Sequence, residues 1–166
     1  VGDENRLRCH EGTMRIGDKC VFGRDNTVNC FLDVEFGEGT IVADWVYICD
    51  FDHVTDDVTI PIKDQGIVKS PVRIGPDVWI GAKASVLRGA SIGTGVVVAA
   101  HAVVRGDIPD YAIVGGIPAR VLKDRRQVYD DQVERREAVS DIARKTADAA
   151  QRNADVTQSL IPPAQG

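Results

Sequence analysis

Residues 74–104 read IGPDVWIGAKASVLRGASIGTGVVVAAHAVV. Ile74, Ile80, Val86, Ile92, Val98 and Val104 recur every six positions. Gly75, Gly81 and Gly93 each follow one of them, and Val78, Ala84, Ala90, Val96 and Ala102 sit four places on. A helix repeats every 3.6 residues and a lone amphipathic strand every two, so neither yields a period of six. Short strands wound as a coil and stacked rung on rung do, which predicts an all-β fold, a parallel β-helix of hexapeptide repeats.

The pattern extends backwards in two slipped series. Ile16, Phe22, Val28 and Val34 form the first, and Phe36, Val42, Ile48 and Val54 the second. Before Ile74 the phase slips again, across DDVTIPIKDQGIVKSP (56–71), where Pro61 and Pro71 cannot donate to a central ladder. A loop near 55–71 is expected there, and loops on rigid scaffolds carry function. After Val104, Gly106, Pro109, Gly115, Gly116 and Pro118 are expected to end the coil. From residue 124 the chain turns Ala-rich and charged. The division is therefore a coil over 1–123, a C-terminal helix over 124–152, placed most closely at 126–152, and a disordered tail over 153–166.

Composition narrows the function. Of 166 residues 43% are hydrophobic but only 5% aromatic, which suits a narrow interior of Val, Ile and Ala. A net charge of −5 gives no electrostatic reason to bind nucleic acid or a membrane surface. No apolar run reaches the roughly 18 residues of a membrane span, and no signal peptide is expected. Cys9, Cys20, Cys30 and Cys49 lack CxxC pairing; Cys20 falls in an inward slot, as a reduced thiol would. A cytoplasmic location is expected.

The stretch PVRIGPDVWIGAKASVLRGASIGTGVVVAAHAVVRGDIPDYAIVGGIPARVLK (71–123) resembles the C-terminal half of hexapeptide-repeat acyltransferases. It is most similar to the branch holding maltose, galactoside and lipopolysaccharide O-acetyltransferases. NCFLD (29–33) and CDFDHVTDD (49–57) also look like that branch. The resemblance, over roughly 14–123, implies a left-handed winding, a homotrimer with active sites between neighbouring coils, and acetyl-CoA as donor with no metal. It also implies a small-molecule or glycoconjugate acceptor.

Acyl transfer to a hydroxyl needs a base, oxyanion donors and a slot for the coenzyme. His53, at the entrance to the loop, matches the family's catalytic histidine. Asp50 and Asp52 are candidates to orient its imidazole, or simply turn residues; Asp52 falls in an inward slot, where it needs partners unless the register has already broken. By resemblance, Asn29, Asp33 and Trp79 face the acceptor, Ala82 and Ala100 line the pantetheine channel, and Arg105, Arg120 and Lys123 meet coenzyme phosphates. Gly106 stands where the family carries a lysine. His101 reads as a turn residue and His10 receives no role.

The γ-class carbonic anhydrases share this coil, but their close histidine pair is absent, since His53 and His101 are far apart in the chain. GGIPAR is no dinucleotide fingerprint. A non-catalytic scaffold trimer, or an acyltransferase for an amino sugar, nucleotide sugar or serine-like amine, remain the alternatives, because acceptor choice lives in loop geometry.

Overall fold

In the computed structural model, residues 2–159 are described, with side chains as far as 148. The first coil comprises β1 (Arg6–Cys9), β2 (Thr13–Ile16) and β3 (Val21–Phe22), and the second β4 (Thr27–Cys30), β5 (Asp33–Phe36) and β6 (Ile41–Val42). The third starts with β7 (Tyr47–Cys49) and is interrupted by a hairpin of β8 (Phe51–His53) and β9 (Ile67–Lys69) around a 3-10 turn at Ile62–Asp64. It closes with β10 (Val72–Ile74) and β11 (Trp79–Ile80). β12 (Ser85–Val86), β13 (Ser91–Ile92) and β14 (Val97–Val98) make the fourth. β15 (Val103–Val104), β16 (Asp107–Ile108) and β17 (Ala112–Gly116) make the fifth, β18 (Ala119–Asp124) folds back antiparallel on β17, and α1 is Arg125–Ser159.

Equivalent strands pair in parallel, forming three sheets ordered β1-β4-β7-β12-β15, β2-β5-β10-β13-β16 and β3-β6-β11-β14-β17-β18. The period of six is thus a third of a coil: Ile80 pairs with Val98 and Val86 with Val104, three hexapeptides on. One aliphatic and one small residue per hexapeptide turn inward. Ile74, Ile80, Val86, Ile92, Val98 and Val104 are buried, as are Val78, Ala84, Ala90, Val96 and Ala102.

The slips have a local cause. β4 and β5 are four residues long and alternate buried and part-buried positions, so β5 sends both Val34 and Phe36 inward, and the first series ends where the second begins. The extra residues widen the early coils, and two rings fit: Phe22 and Phe36 pack edge to face with centroids 5.2 Å apart.

Two expectations are corrected. Val54 is not a rung; the chain leaves the coil at Phe51 and rejoins it at Val72, so the excursion starts before residue 55. Past Val104 two further rungs follow, β16 and β17, through Ile92↔Ile108 and Val98↔Val114. The intervening corner is shortened by a tight turn at Gly106, whose φ of +68° suits glycine. Finally, α1 continues through Ser159, so residues 153–159 are helical; 160–166 of the expected tail lie outside the described residues.

Among the described residues, those up to Arg125 form one compact unit and those from Arg126 onward a second. Among the described residues no helix is long and apolar enough to cross a membrane. All four cysteines are free; Cys20 is half-buried, its Sγ 3.2 Å from the Gly37 carbonyl oxygen.

Candidate active site

The site is built where β7 runs out. After Cys49 the next residue is an aspartate, and Asp50 is fully buried. Its carboxylate accepts three backbone N–H bonds from the corner of the coil below, from Phe31 at 2.8 Å and from Leu32 and Asp33 at 2.7 Å. A buried carboxylate needs such donors, and a corner of the coil exposes N–H groups that no ladder uses. Ser70 N–H donates to the Asp50 carbonyl at 2.9 Å, clamping the two ends of the hairpin together.

From this anchor β8 carries Phe51, Asp52 and His53 outward, with His53 opposite Ile67. Rings line the ascent. His10 stacks on Phe31 at 4.3 Å, Phe51 meets Phe31 edge-on at 4.6 Å, and His53 meets Phe51 edge-on at 6.2 Å. Lys69 lies over Phe31 and pairs with Glu11. Further out, the Gln65 side chain ties the loop to itself, donating to the Asp57 and Ile60 carbonyls at 2.8 and 2.7 Å. The Asp57 carboxylate caps Thr59 through its hydroxyl and its N–H, and these bonds hold it below the usual carboxylate range.

Asp52, His53, Val54, Thr55, Asp56, Val68 and Arg88 line a cavity of about 480 Å³. His53 is exposed, and among the described residues no side chain hydrogen-bonds its imidazole. The two aspartates considered as orienting partners act elsewhere. Asp50 holds the coil corner, and Asp52, out of register with the coil, pairs with Arg88 Nε at 3.0 Å and Arg105 Nη2 at 3.5 Å. Arg88 was invisible to motif reading. Its signal was positional: two places after inward Val86, it projects from the same corner of the coil as Arg105, just after Val104.

The other expected residues divide between faces. Ala82 and Ala100 follow β11 and β14 at one stacked corner, where His101 N–H donates to the Ala82 carbonyl at 3.0 Å. The backbones run close there: a Cβ on Gly81 would lie 2.6 Å from the Ala100 nitrogen. Arg120 and Lys123 are exposed on β18, in register with Gly115 and Ile113. Trp79 is 51% exposed on β11 of that same sheet. Arg105, read with this coenzyme group, stands instead at the His53 corner.

Asn29 lies on β4 opposite Cys49. Asp33, on β5, is committed to an ion-pair cluster with Arg15 and Arg73, which Glu35 joins. Burial pushes the Asp33 carboxyl up, but the two guanidiniums outweigh it and hold it below the ordinary value. Burial raises the Tyr47 phenol beside Asn29 and Cys49.

Residues 71–106 match the bacterial transferase hexapeptide family of six repeats. A maltose O-acetyltransferase from Clostridium difficile superposes with a TM-score of 0.59 at 30% identity, over 75% of this chain and 68% of that one. The chain belongs to the hexapeptide-repeat acyltransferases. Among curated members, a protein of Mycobacterium tuberculosis named as a probable acetyltransferase is 58% identical over 89% of this chain and 50% of its own length. A protein of Escherichia coli K12 named for lipopolysaccharide biosynthesis O-acetyl transfer is 38% identical over 64% of this chain and 62% of its own. The chain thus spans about half the length of the first relative and under two thirds of the second.

Proposed function

We propose that this chain transfers an acetyl group, or another short acyl group, from coenzyme A to a hydroxyl of a sugar or glycoconjugate. The observation that carries this reading is His53: an exposed imidazole, held at the tip of a hairpin strand by a buried anchor, facing a cavity. A general base must reach an incoming O–H, so an imidazole with no internal partner suits the task better than one already engaged.

In this reading the acceptor hydroxyl gives its proton to His53 as its oxygen attacks the thioester carbonyl. The C–S bond then breaks, and the departing sulfur takes the proton back from the imidazolium. Attack is direct, within a ternary complex, and trapping a covalent acyl-protein would contradict it. Ala82 and Ala100, at the close-packed corner, fit the passage of a slender pantetheine arm, and Arg120 and Lys123 supply cations for phosphates. These groups stand at a different corner from His53 in one chain, so the reading requires a homotrimer in which neighbouring coils bring the two corners together. The reaction belongs in the cytoplasm, where coenzyme A is available. Asn29, Asp33 and Trp79 are proposed acceptor contacts, Asp33 from within its ion pairs with Arg15 and Arg73.

The test is thiol release from acetyl-CoA with mixed glycosides. His53→Ala is expected to lower the acceptor-dependent rate by about 10²–10⁴-fold. Equal rates in both proteins would favour a non-catalytic scaffold instead.

A further inference from the structure

Among the described residues the Arg88 and Arg105 side chains have one acceptor, and it is the same one, Asp52. Arg88 donates through Nε and Arg105 through Nη2, both to the same carboxylate oxygen, at 3.0 and 3.5 Å. A guanidinium offers five N–H donors in a flat fork. Arg88 therefore keeps both terminal amino groups uncommitted, and Arg105 all donors but one. Both bonds end on one oxygen, so the two guanidiniums converge on the Asp52 carboxylate with their remaining N–H groups unspent. The Arg88 side chain is 30% exposed and lines the cavity that His53 faces; that of Arg105 is 59% exposed.

We propose that Arg88 and Arg105 form an anion subsite beside His53, and that the acceptor is an acidic glycoside with a carboxylate or phosphate near the hydroxyl that is acylated. The inference rests on the acyl-transfer reading and narrows its substrate class. Asp52 leaves the trio one positive charge, and Asp56 in the cavity lining offsets that. Selection thus comes from directed, charge-assisted N–H donors and not from a long-range field. The anion adds to unused donors, and the Asp52 pairs that hold β8 stay in place.

Coenzyme A also carries phosphates. Its pantetheine arm, however, holds the pyrophosphate many bonds away from the thioester, whereas Arg88 lines the same cavity as His53. An anion bound here, next to the attacking hydroxyl, belongs to the acceptor.

The experiment is equilibrium binding to the intact protein, followed by NMR titration. The ligands are methyl glucoside, methyl glucuronide, glucose 6-phosphate and adenosine 3′,5′-bisphosphate, compared between wild type, Arg88→Gln and Arg105→Gln. At least one acidic sugar is expected to bind wild type about tenfold or more tightly than methyl glucoside, the scale of one charge-assisted hydrogen bond. Arg88→Gln should remove that preference and leave methyl glucoside within about twofold; Arg105→Gln should weaken it in the same direction. The proposal is overturned by three results. One is equal binding of acidic and neutral sugars by wild type. Another is parallel weakening of both in Arg88→Gln, which marks a loop tether and nothing more. The last is a loss confined to the bisphosphate, which marks a coenzyme subsite. Should Arg88→Gln fail to fold, Arg105→Gln, the more exposed and more loosely paired arginine, carries the test. Binding needs no turnover, so a preference that depends on Arg88 in a protein without acyl transfer would sink the catalytic reading and leave the subsite standing.

Discussion

Asp50 offers the sharpest test of how the site is held. One carboxylate oxygen accepts the Phe31 N–H, and the other accepts those of Leu32 and Asp33, with the whole side chain out of water. Asp50→Asn keeps the shape but turns one oxygen into a donor. In its better orientation the amide oxygen serves Leu32 and Asp33, and the amide nitrogen then faces the Phe31 N–H. One buried donor is orphaned, at about 1–3 kcal/mol, and the two remaining bonds lose their charge assistance. Asp50→Ala orphans all three donors, though relaxation and water entry will return part of that, so a loss of about 4–5 kcal/mol is expected, among the largest for a single substitution. At about 2–4 °C per kcal/mol for a protein of this size, Asp50→Asn should melt about 5–10 °C below wild type and Asp50→Ala lower still. Thermal and urea unfolding followed by far-UV circular dichroism would measure both. The ranking wild type, Asn, Ala is the essential result. An Asp50→Asn protein as stable as wild type would refute the idea that this carboxylate pins the corner beneath His53.

Two further outcomes follow from burial and charge. Burial pushes the Cys30 thiol up to about 12 and raises Cys49 as well, whereas Cys9 is exposed. At pH 8 an alkylating reagent should therefore label Cys9 well before Cys30 or Cys49, as read by peptide mass spectrometry, and equal labelling of Cys30 would contradict the buried ladder. Asp33 is held below its ordinary pKa by Arg15 and Arg73, so its stabilisation is present above the unfolded-state value of about 3.9 and is lost as pH falls through the lower folded value. The difference in urea midpoint between wild type and Asp33→Asn should be full at pH 7 and shrink from about pH 4 downward; a gap that widens in acid would show that the guanidiniums do not control this group.

How far the sequence could be read depended on the range of each interaction. Ile74 to Val104 announced the coil because every rung asks the same of its residues: an aliphatic and a small side chain inward, once per side. His53 was legible as a loop-rim histidine because Pro61 and Pro71 cannot donate to a central ladder, which marks the stretch after it as an excursion from the coil. The rungs past Val104 fall out of the six-residue series because the Val104–Ile108 corner drops two residues, and a strict period cannot see a shortened turn whose strands still pair. The start of the hairpin was misplaced because β8 pairs only with β9, across an irregular loop.

The sequence by itself thus determined the stacked coil of six-residue repeats and the imidazole available at a loop. Only the tertiary structure decided what the nearby charges do. Asp50 meets Phe31, Leu32 and Asp33 from the rung below, and Asp52 meets Arg88 and Arg105 from rungs above, partners that no local spacing links. A six-residue period records which way a side chain faces, whereas the neighbour it meets is set by the register of whole coils, and that register exists only once the chain has wound.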